Sequence, residues 1–267
     1  MTTRSDPGSL CARKVDFAYN GSPVLREVTL SVPEGALIAL AGPNGSGKTT
    51  LLGLLSGLRR PAAGEVTLDG LPLQRRSPRE RARTIAVVPQ RIDPRLAYTT
   101  RQLVVMGRTP HAGFFGQTGP RDAHAVERAM KSADVVSLAD RRYSELSSGE
   151  QQRVAVAMAL AQEAQYLLLD EPAVHLDLQH QHELFELLRE LHHERGVAIL
   201  AVLHDLNLAA LYFDRLALLN RGALVADGPS GDVVREPSLL ALFRAPLAVV
   251  SHPSAGVPQV LLERRQS

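Results

Sequence analysis

A glycine-rich loop lies between an apolar run and a helix-like segment, and its residue types are those that bind phosphate. It consists of Gly42, Pro43, Asn44, Gly45, Ser46, Gly47, Lys48, Thr49 and Thr50. Glycines allow backbone N–H groups to point inward at phosphate oxygens, and the following helix adds the positive end of its dipole. Lys48 supplies a positive charge for the outer phosphates, and the Thr49 hydroxyl is suited to ligating Mg²⁺. The pattern predicts a nucleotide-binding loop rather than an ordinary turn.

Two adjacent carboxylates, Asp170 and Glu171, follow the apolar run 166–169. Carboxylates at the end of a buried strand are costly unless they serve a cation or a reaction. Asp170 fits the aspartate that holds Mg²⁺, usually through water, and Glu171 would polarise the water that attacks the terminal phosphate. The alternative is that Asp-Glu-Pro only closes a strand and starts a turn. The phosphate-binding loop earlier in the chain favours the catalytic interpretation.

A second phosphate-binding feature is predicted at residues 146–150, which read Leu-Ser-Ser-Gly-Glu before an alanine-rich helix. Ser147 and Glu150 have the spacing of a capping box, and capping alone would explain them. The same helix start offers free N–H groups, serine hydroxyls and a dipole to a phosphate. One loop does not easily wrap both ends of a triphosphate, so we expect a partner subunit to complete the site. The candidate residues are Ser147, Ser148, Gly149 and Glu150.

Composition narrows the class of protein. The 267 residues can bury one large α/β domain with an inserted subdomain, and the 45% hydrophobic and 22% charged content excludes general disorder. The longest apolar runs are too short to span a membrane, and residues 1–6 lack an apolar signal core, so we expect a cytoplasmic chain. The single Cys11 excludes an internal disulfide or a thiolate metal cluster. A net charge of +2 gives no argument for nucleic acid, and the basic stretch Arg75–Arg83 is interpreted as a solvated face.

Hydrophobic periodicity predicts the elements that must position these residues. Residues 10–41 are expected to form strands with a turn at Asn20-Gly21, and residues 64–70 add a strand to a small antiparallel sheet. The pattern then predicts a strand at 85–88, helices with breaks through about residue 165, and a helical and strand-like tail from 229. Two central parallel strands, 166–170 and 198–204, are expected to end at the nucleotide site.

Taken together, the motifs make the whole chain resemble the ATP-binding subunit of ABC transporters. Residues 146–150 match that family's signature motif, with Ser148 and Glu150 as conservative departures from Leu-Ser-Gly-Gly-Gln. The resemblance implies roles for four further residues: adenine stacking for Tyr19, contact with Mg²⁺ and water for Gln90, a terminal-phosphate contact for His204, and a D-loop at the dimer interface for Asp177. Taken singly, Tyr19 could pack on a core face, Gln90 could cap a loop and His204 could end a strand. The order of the motifs favours the family roles.

The resemblance implies an α/β fold with a P-loop NTPase (RecA-like) core, an antiparallel β subdomain and an inserted α-helical subdomain. The predicted core covers about 10–90 and 166–230, the helical subdomain 91–165 and the C-terminal tail 231–267 of a single domain. The remaining histidines are interpreted as helix-surface residues rather than a metal site, because no carboxylate or cysteine set has ligand spacing. They are His175, His180, His182, His192 and His193.

The mechanism implied by the resemblance is a two-state clamp. Two copies face each other head to tail, and each ATP, with Mg²⁺ held by Thr49, Gln90 and Asp170, lies between 42–50 of one copy and 147–150 of the other. ATP binding closes the dimer, and hydrolysis lets the faces part, with Glu171 as the base and with His204 and Lys48 stabilising charge. A multi-span permease and, indirectly, a periplasmic or lipoprotein binding protein are the implied partners at the cytoplasmic side of the membrane.

The transported substrate is left open between three classes. Residues 105–111, 170–181, 202–210 and 251–258 are most similar to the subgroup that imports iron–siderophore complexes, haem or cobalamin. The segment 91–116 is expected to carry the permease-contacting surface. Two other classes fit the sequence less well. A nucleotide-gated scaffold typically lacks the glutamate present here as Glu171, and an ATPase acting on DNA or ribosomes usually carries a long insertion or a second cassette. An exporter or an ABC system for another substrate also stays open.

Overall fold

The computed structural model describes residues 8–93, 95, 97–113, 119–174, 176–235, 243 and 246–264, and it has two compact units. The first unit comprises the described residues up to Gln74 and from Leu200 onward, and the second comprises those within Arg75–Ile199. The elements that precede Arg75 are β1 (Ser9–Tyr19), β2 (Ser22–Pro33), β3 (Leu37–Ala41), α1 (Lys48–Leu55), β4 (Ala63–Leu68) and β5 (Leu71–Pro72).

The second unit contributes most of the helices. Its elements are α2 (Pro78–Thr84), β6 (Ile85–Val88), α3 (Thr100–Met106), α4 (Pro120–Ser132), α5 (Ser148–Ala161), β7 (Tyr166–Asp170) and α6 (Leu178–Arg195). The boundary between the units falls within β8 (Ala198–Val202). The chain then adds to the first unit α7 (Leu206–Tyr212), β9 (Arg215–Asn220), β10 (Ala223–Pro229), α8 (Ser230–Arg235), β11 (Leu247–Ser251) and β12 (Pro258–Leu262).

The first unit contains the predicted antiparallel sheet, in the order β2-β1-β4-β5. A hairpin joins β1 to β2 through Asn20 and Gly21, whose φ angles of 48° and 82° are the positive values that a two-residue hairpin turn of this type requires. Irregular register after Ala12 bends β1, so that its first half pairs fully with both β2 and β4. The inward residues Leu10, Ala12 and Val15 are completely buried.

A second set of strands in the first unit carries the phosphate-binding loop. All five residues of β3 are buried, as expected of an apolar run without alternation. β3 pairs in parallel with β9, and β9 pairs antiparallel with β10. The helix α1 follows β3 after the loop 42–47, and seven of its residues are buried: Lys48, Thr50, Leu51, Leu52, Gly53, Leu54 and Leu55. The buried strand and the buried helix thus fix both ends of the loop between them.

The C-terminal tail forms a hairpin of β11 and β12 that is fastened to α7. The Asn207 side chain exchanges two hydrogen bonds with the backbone of Val260: Nδ2 donates to the carbonyl oxygen at 3.1 Å, and the Val260 N–H donates to Oδ1 at 2.7 Å. In the turn of the hairpin, the N–H of Ala255 donates to Nδ1 of His252 at 3.2 Å. Residues 236–242, 244–245 and 265–267 of the predicted tail lie outside the described residues.

The second unit has a helical core built from α3, α4 and α5. Buried hydrophobic side chains from these helices and from the turns that follow α4 pack together in it: Leu103, Val104, Val126, Ala129, Met130, Val135, Tyr143, Leu146, Val154, Ala157 and Ala161. Beside it, β6 pairs in parallel with β7, and the four Cα partners from Ile85↔Tyr166 to Val88↔Leu169 are in continuous register. The strand predicted at 85–88 is therefore present, and the strand predicted as parallel at 166–170 has a parallel neighbour in β6.

A buried arginine organises the same helices. Arg108 is 2% exposed, and its guanidinium donates to the carboxylates of Asp122 at 2.9 Å and Glu163 at 2.8 Å and to the carbonyl oxygen of Ala161 at 2.6 Å. These partners belong to the start of α4 and the end of α5, so one side chain joins both helices to the turn after α3. The backbone N–H of Gly119 and then Arg108 hold the pKa of Asp122 below its usual range.

The basic stretch Arg75–Arg83 has a partial structural role that its sequence did not indicate. Arg79 and Arg83, both exposed on α2, each donate from Nε to the carbonyl oxygen of Pro110 at 2.9 Å. They hold α2 against the turn that follows α3. The interpretation as a solvated face thus covers only part of the stretch.

Several expectations are met by the fold, and one is not tested by it. The strands at 10–41, 64–70, 85–88 and 166–170 are present. The pair β9–β10 was not predicted. The division into a core, a helical subdomain at 91–165 and a tail stays a prediction.

We expect Arg108→Ala to destabilise the protein by about 3 kcal/mol, because it leaves two carboxylates facing a buried site without their partner. Urea denaturation at pH 7 measures this difference. Since the pKa of Asp122 is lowered in the folded protein, the contribution of the pair is complete above its unfolded pKa of about 4 and is lost as the pH falls below it. The difference in unfolding free energy between the wild type and Arg108→Ala should therefore become smaller as the pH falls below about 4.

The matched control is Arg128→Ala, which removes an exposed arginine from the same carboxylate, that of Glu163. Its side chain is 57% exposed, so we expect a loss below about 1 kcal/mol. Equal effects of the two substitutions would contradict the organising role of Arg108.

Candidate functional site

The phosphate loop, residues 42–50, is shaped by the requirement for glycine at its first position. Gly42 has a φ of +146°, and a Cβ added there would lie 1.9 Å from the carbonyl oxygen of Leu219 in β9. No side chain fits this approach without displacing backbone. The close contact lets the chain turn from β3 toward the start of α1 at Lys48. The first turn of α1 therefore opens directly onto the loop.

Lys48 is the buried charge of this loop. Its side chain is only 5% exposed, and Nζ donates to the carbonyl oxygens of Gly42 at 2.9 Å and Pro43 at 3.1 Å. A buried ammonium requires such dipoles or an anion. Ser46, 2% exposed, has a hydroxyl that finds no hydrogen-bond partner among the described residues. An unsatisfied buried hydroxyl beside a buried ammonium fits the predicted phosphate ligand.

Tyr19 is placed at the end of β1 with an accessible ring. It is 40% exposed, so it is not the core residue that its alternation with Phe17 left as an alternative. The Phe17 ring packs edge to face at 4.9 Å, and the Arg59 guanidinium lies 4.9 Å from the Tyr19 ring centre. These contacts hold an aromatic ring at the surface, where a base could stack. Arg59 was not among the predicted site residues.

Gln90 and Glu171 are brought together in the second unit. Gln90 Nε2 donates to Glu171 Oε2 at 2.8 Å, although the two residues are far apart in the sequence. Glu171 follows the last residue of β7, Asp170, and has a φ of +50°, in the left-handed region that non-glycine residues rarely adopt. Such strain is concentrated at functional sites, where the surrounding structure imposes it. The carboxylate is therefore aimed by the backbone and held by an amide.

The signature loop, residues 146–150, forms the predicted capping box. The Ser147 hydroxyl accepts from the Glu150 N–H at 3.3 Å and donates to Glu150 Oε2 at 2.9 Å, and the Ser147 N–H donates to the same oxygen at 2.7 Å. The pKa of Glu150 is lowered, chiefly by that backbone donor. Arg141 lies 3.5 Å from Glu150 Oε1. Glu150, which stands where the family commonly has glutamine, thus uses its carboxylate to cap the N-terminus of α5.

The D-loop, residues 174–177, ends in a second capped helix. Asp177 is the N-cap of α6, and its Oδ1 accepts from the His180 N–H at 2.9 Å and lies 2.7 Å from His180 Nδ1. These two donors hold the pKa of Asp177 below its usual range. His175 lies outside the described residues, so its predicted place on a helix surface is not addressed. His204 is exposed in the first unit, between β8 and Asp205, the N-cap of α7.

Two glutamines that the motifs did not indicate brace these loops in the same way. Gln151 Nε2 donates to the carbonyl oxygens of Tyr143 and Leu146, each at 3.1 Å. Gln181 Nε2 donates to those of Ala173 at 3.4 Å and Leu176 at 3.2 Å. Each glutamine stands four residues after its N-cap, Ser147 or Asp177. The shared spacing is the sequence signal that could have identified them.

The donor set predicted for Mg²⁺ fits a hard cation. Thr49, Gln90 and Asp170 offer a hydroxyl, an amide carbonyl and a carboxylate, and oxygen ligands of this kind suit Mg²⁺. Because Gln90 uses its Nε2 toward Glu171, its Oε1 is the atom that remains to accept a cation. Among the described residues no cluster of three or more His, Cys, Asp or Glu side chains could hold a metal. The fit therefore rests on the mixed donor set.

Comparison with known proteins decides the family. Residues 25–174 match the model of the ABC transporter family. The chain belongs to the ABC transporter family. The predicted α/β P-loop NTPase fold and the predicted ATPase class are thereby confirmed. Within the described part of this family member, no helix has the length and apolar character needed to cross a bilayer.

Two curated relatives align with nearly the whole length of this ABC family member. It is 43% identical over 261 residues to the hemin import ATP-binding protein HmuV of Rhodococcus jostii (strain RHA1), covering 97% of this chain and 87% of that protein. It is 38% identical over 252 residues to the ferric enterobactin transport ATP-binding protein FepC of Escherichia coli (strain K12), covering 94% of this chain and 93% of the relative.

Solved structures agree with this assignment. A putative metal-chelate type ABC transporter in an inward-facing conformation matches with a TM-score of 0.83 and 26% identity over 96% of this chain and 98% of that one. A dimeric ATP-binding cassette bound to ADP and Pi after hydrolysis matches with a TM-score of 0.74 and 26% identity, over 83% and 98% of the two chains.

We expect Lys48→Ala to weaken nucleotide binding about 10- to 100-fold, because a charge-assisted phosphate contact is lost. Titration with a fluorescent ATP analogue measures the affinity, and thermal melting of the same samples should shift by no more than about 4 °C. Lys131→Ala, at the end of α4, is the control and should bind as wild type. Unchanged affinity in Lys48→Ala would contradict the role of the loop.

Proposed function

We propose that this ABC ATPase is the ATP-hydrolysing subunit of an importer for an iron chelate, powering uptake through a separate permease. The observation that carries the proposal is the similarity to HmuV and FepC over more than nine-tenths of the chain, since those proteins are named for hemin import and ferric enterobactin transport. A match to a metal-chelate type transporter in structure agrees with it. The protein is then placed at the cytoplasmic face of the membrane, where ATP is available.

Nucleotide binding is assigned to the phosphate loop and Tyr19. The N–H groups at the start of α1 and the ammonium of Lys48 meet the outer phosphates, and the accessible ring of Tyr19 stacks on adenine. The unsatisfied Ser46 hydroxyl supplies a further donor to phosphate. When bound, Mg²⁺ neutralises phosphate charge, and Thr49, Gln90 and Asp170 are the residues that would hold it.

Hydrolysis is assigned to Glu171 as the general base. Its carboxylate takes a proton from the attacking water, and the bond from Gln90 orients it for this step. Lys48 and His204 stabilise the negative charge on the terminal phosphate. The left-handed backbone of Glu171 supports this role. It restricts the direction in which the carboxylate leaves the end of β7.

The active form is proposed to be a head-to-tail pair of identical chains. In it the capped helix start at Ser147–Glu150, together with Asp177, completes the ATP site of the partner subunit. A related cassette was solved as a dimer with ADP and Pi, which supports this arrangement. ATP contacts both faces and so favours the closed pair, and loss of the terminal phosphate removes that preference.

The permease-contacting surface is proposed within residues 91–116. Three large apolar side chains in this segment are well exposed: Tyr98 (40%), Val105 (38%) and Met106 (38%). Exposed apolar side chains that cluster in sequence around one short helix suit a protein partner. Residues 94, 96 and 114–116 of this segment lie outside the described part of the chain. A binding protein that delivers the cargo would act only through the permease.

Haem and ferric siderophores are the favoured cargoes, with cobalamin as a third candidate. Neither the nucleotide site nor the helical core would touch the cargo, so the choice rests on the relatives. Three relatives at 43–44% identity are named for hemin import, against 38% for the ferric enterobactin protein. Haem therefore stands first.

We expect Glu171→Gln to lower kcat at least about 100-fold while ATP still binds, because the base is lost and the amide keeps its size and its bond to Gln90. Sedimentation with ATP should show a trapped dimer. Glu190→Gln, exposed on α6, serves as the matched control and should turn over normally. Normal turnover in Glu171→Gln would exclude Glu171 as the base.

The cargo is tested by reconstituting the chain with its permease in vesicles and adding binding proteins loaded with haem, a ferric catecholate or cobalamin. Because productive docking of the loaded binding protein raises hydrolysis in a coupled importer, we expect the haem-loaded protein to give the largest stimulation of ATPase activity. Uptake of the labelled cargo confirms the direction. Stimulation by none of the three, in a system that hydrolyses ATP, would reject the proposed substrate class.

A further inference from the structure

His180 connects the two loops that are proposed to face the partner's nucleotide. Its Nδ1 lies 2.7 Å from Asp177 Oδ1, and its backbone N–H donates to the same oxygen at 2.9 Å. Because a carboxylate with a lowered pKa only accepts, Nδ1 carries the proton in this bond. The ring is therefore held at the D-loop by a charge-assisted contact while being only 31% exposed.

The other side of the same ring lies against Gly149 of the signature loop. A Cβ added at Gly149 would be 2.9 Å from His180 Cδ2 and 3.1 Å from Cγ. Real Cβ atoms do not approach so closely, so the space that glycine leaves empty is the space that the imidazole needs. The ring cannot move aside freely, because Asp177 holds it. A glycine in the signature loop is thus matched to a histidine in α6.

One further contact shows that the two helix starts run alongside each other. Arg153, one turn beyond Gly149 in α5, pairs with Glu183, about one turn beyond His180 in α6, at 3.1 Å. The contacts therefore advance in the same direction along both helices. Gln151 and Gln181 each fix a loop to the helix that follows it. The His180 ring supplies the contact between the two helices at the ends where those loops lie.

We propose that His180 is a positioning residue that fixes the signature loop against the D-loop, so that one chain presents both to its partner's nucleotide as a single preformed surface. The inference rests on the proposed function, in which Ser147–Glu150 and Asp177 complete a shared ATP site. A preformed surface loses less conformational freedom on closure, so ATP-driven dimerisation is favoured. Neither the phosphate loop nor the permease segment is involved.

The test measures ATP-driven dimerisation of the full chain in the Glu171→Gln background by sedimentation. Removing His180 with His180→Ala should raise the dimer dissociation constant about tenfold, within the usual range of coupling between sites. ATP affinity of the separate chain should stay within about twofold of the parent, which a general folding defect would not allow. The control is His182→Ala, since His182 is 63% exposed on the same helix and should leave dimerisation unchanged.

Two conservative variants separate the contacts of the ring. His180→Asn places an amide donor near Asp177 but lacks the ring against Gly149, whereas His180→Phe keeps a ring and lacks the donor. Each should restore part of the dimerisation lost in His180→Ala. In a double-mutant cycle, the effects of Gly149→Ala and His180→Ala on dimerisation should be non-additive. His180→Ala makes room for the methyl group that Gly149→Ala introduces.

The outcomes distinguish the two levels of the proposal. Equal dimerisation of Glu171→Gln with and without His180→Ala would overturn the positioning role and leave the proposed function intact. Strictly additive effects of Gly149→Ala and His180→Ala on the dimer dissociation constant would overturn the positioning role as well. Absence of any ATP-driven dimer in Glu171→Gln itself, with ATP bound, would instead contradict the shared site and the inference together.

Discussion

The buried ammonium of Lys48 is the constraint on which the nucleotide site depends. A charge that is 5% exposed must be stabilised by fixed dipoles, and the carbonyl oxygens of Gly42 and Pro43 provide them. To do so, the loop must fold back over the first turn of α1. That path brings Gly42 against the backbone of Leu219, where only glycine fits. The loop is therefore fixed by its own contacts, so an electrostatic interaction with phosphate needs little reorganisation.

Two capped helix starts are the corresponding fixed features of the second unit. Ser147 and Asp177 each cap a helix, and a glutamine four residues later holds the carbonyls of the loop before the cap. Free N–H groups at a helix start attract anions, but only a rigid start presents them at a fixed place. The repeated brace gives that rigidity to both loops. The backbone donors at these caps lower the pKa values of Glu150 and Asp177, so protonation of the two carboxylates at acidic pH would weaken both loops.

Local sequence patterns were sufficient wherever the chemistry is local. The phosphate loop, the capping box at Ser147 and the hairpin turn at Asn20 follow from the nearest few residues, because backbone conformation and capping are decided over one turn. The alternation of Val15, Phe17 and Tyr19 in β1 and the unbroken apolar run in β3 likewise predicted strands, and both are present. What these patterns did not contain was the pair β9–β10, because β9 is placed by its parallel pairing with β3, which is distant in sequence.

By itself, the sequence determined the family, the order of the motifs and the choice of candidate site residues, since those depend on residue identity and spacing. Only the tertiary structure decided which groups meet: Gln90 with Glu171, Arg108 with the carboxylates of Asp122 and Glu163, and His180 with Gly149. These contacts join residues distant in sequence, and nothing in the local pattern of either partner specifies the other. The left-handed backbone of Glu171 belongs to the same class, because an unfavourable conformation is held only by the packing around it.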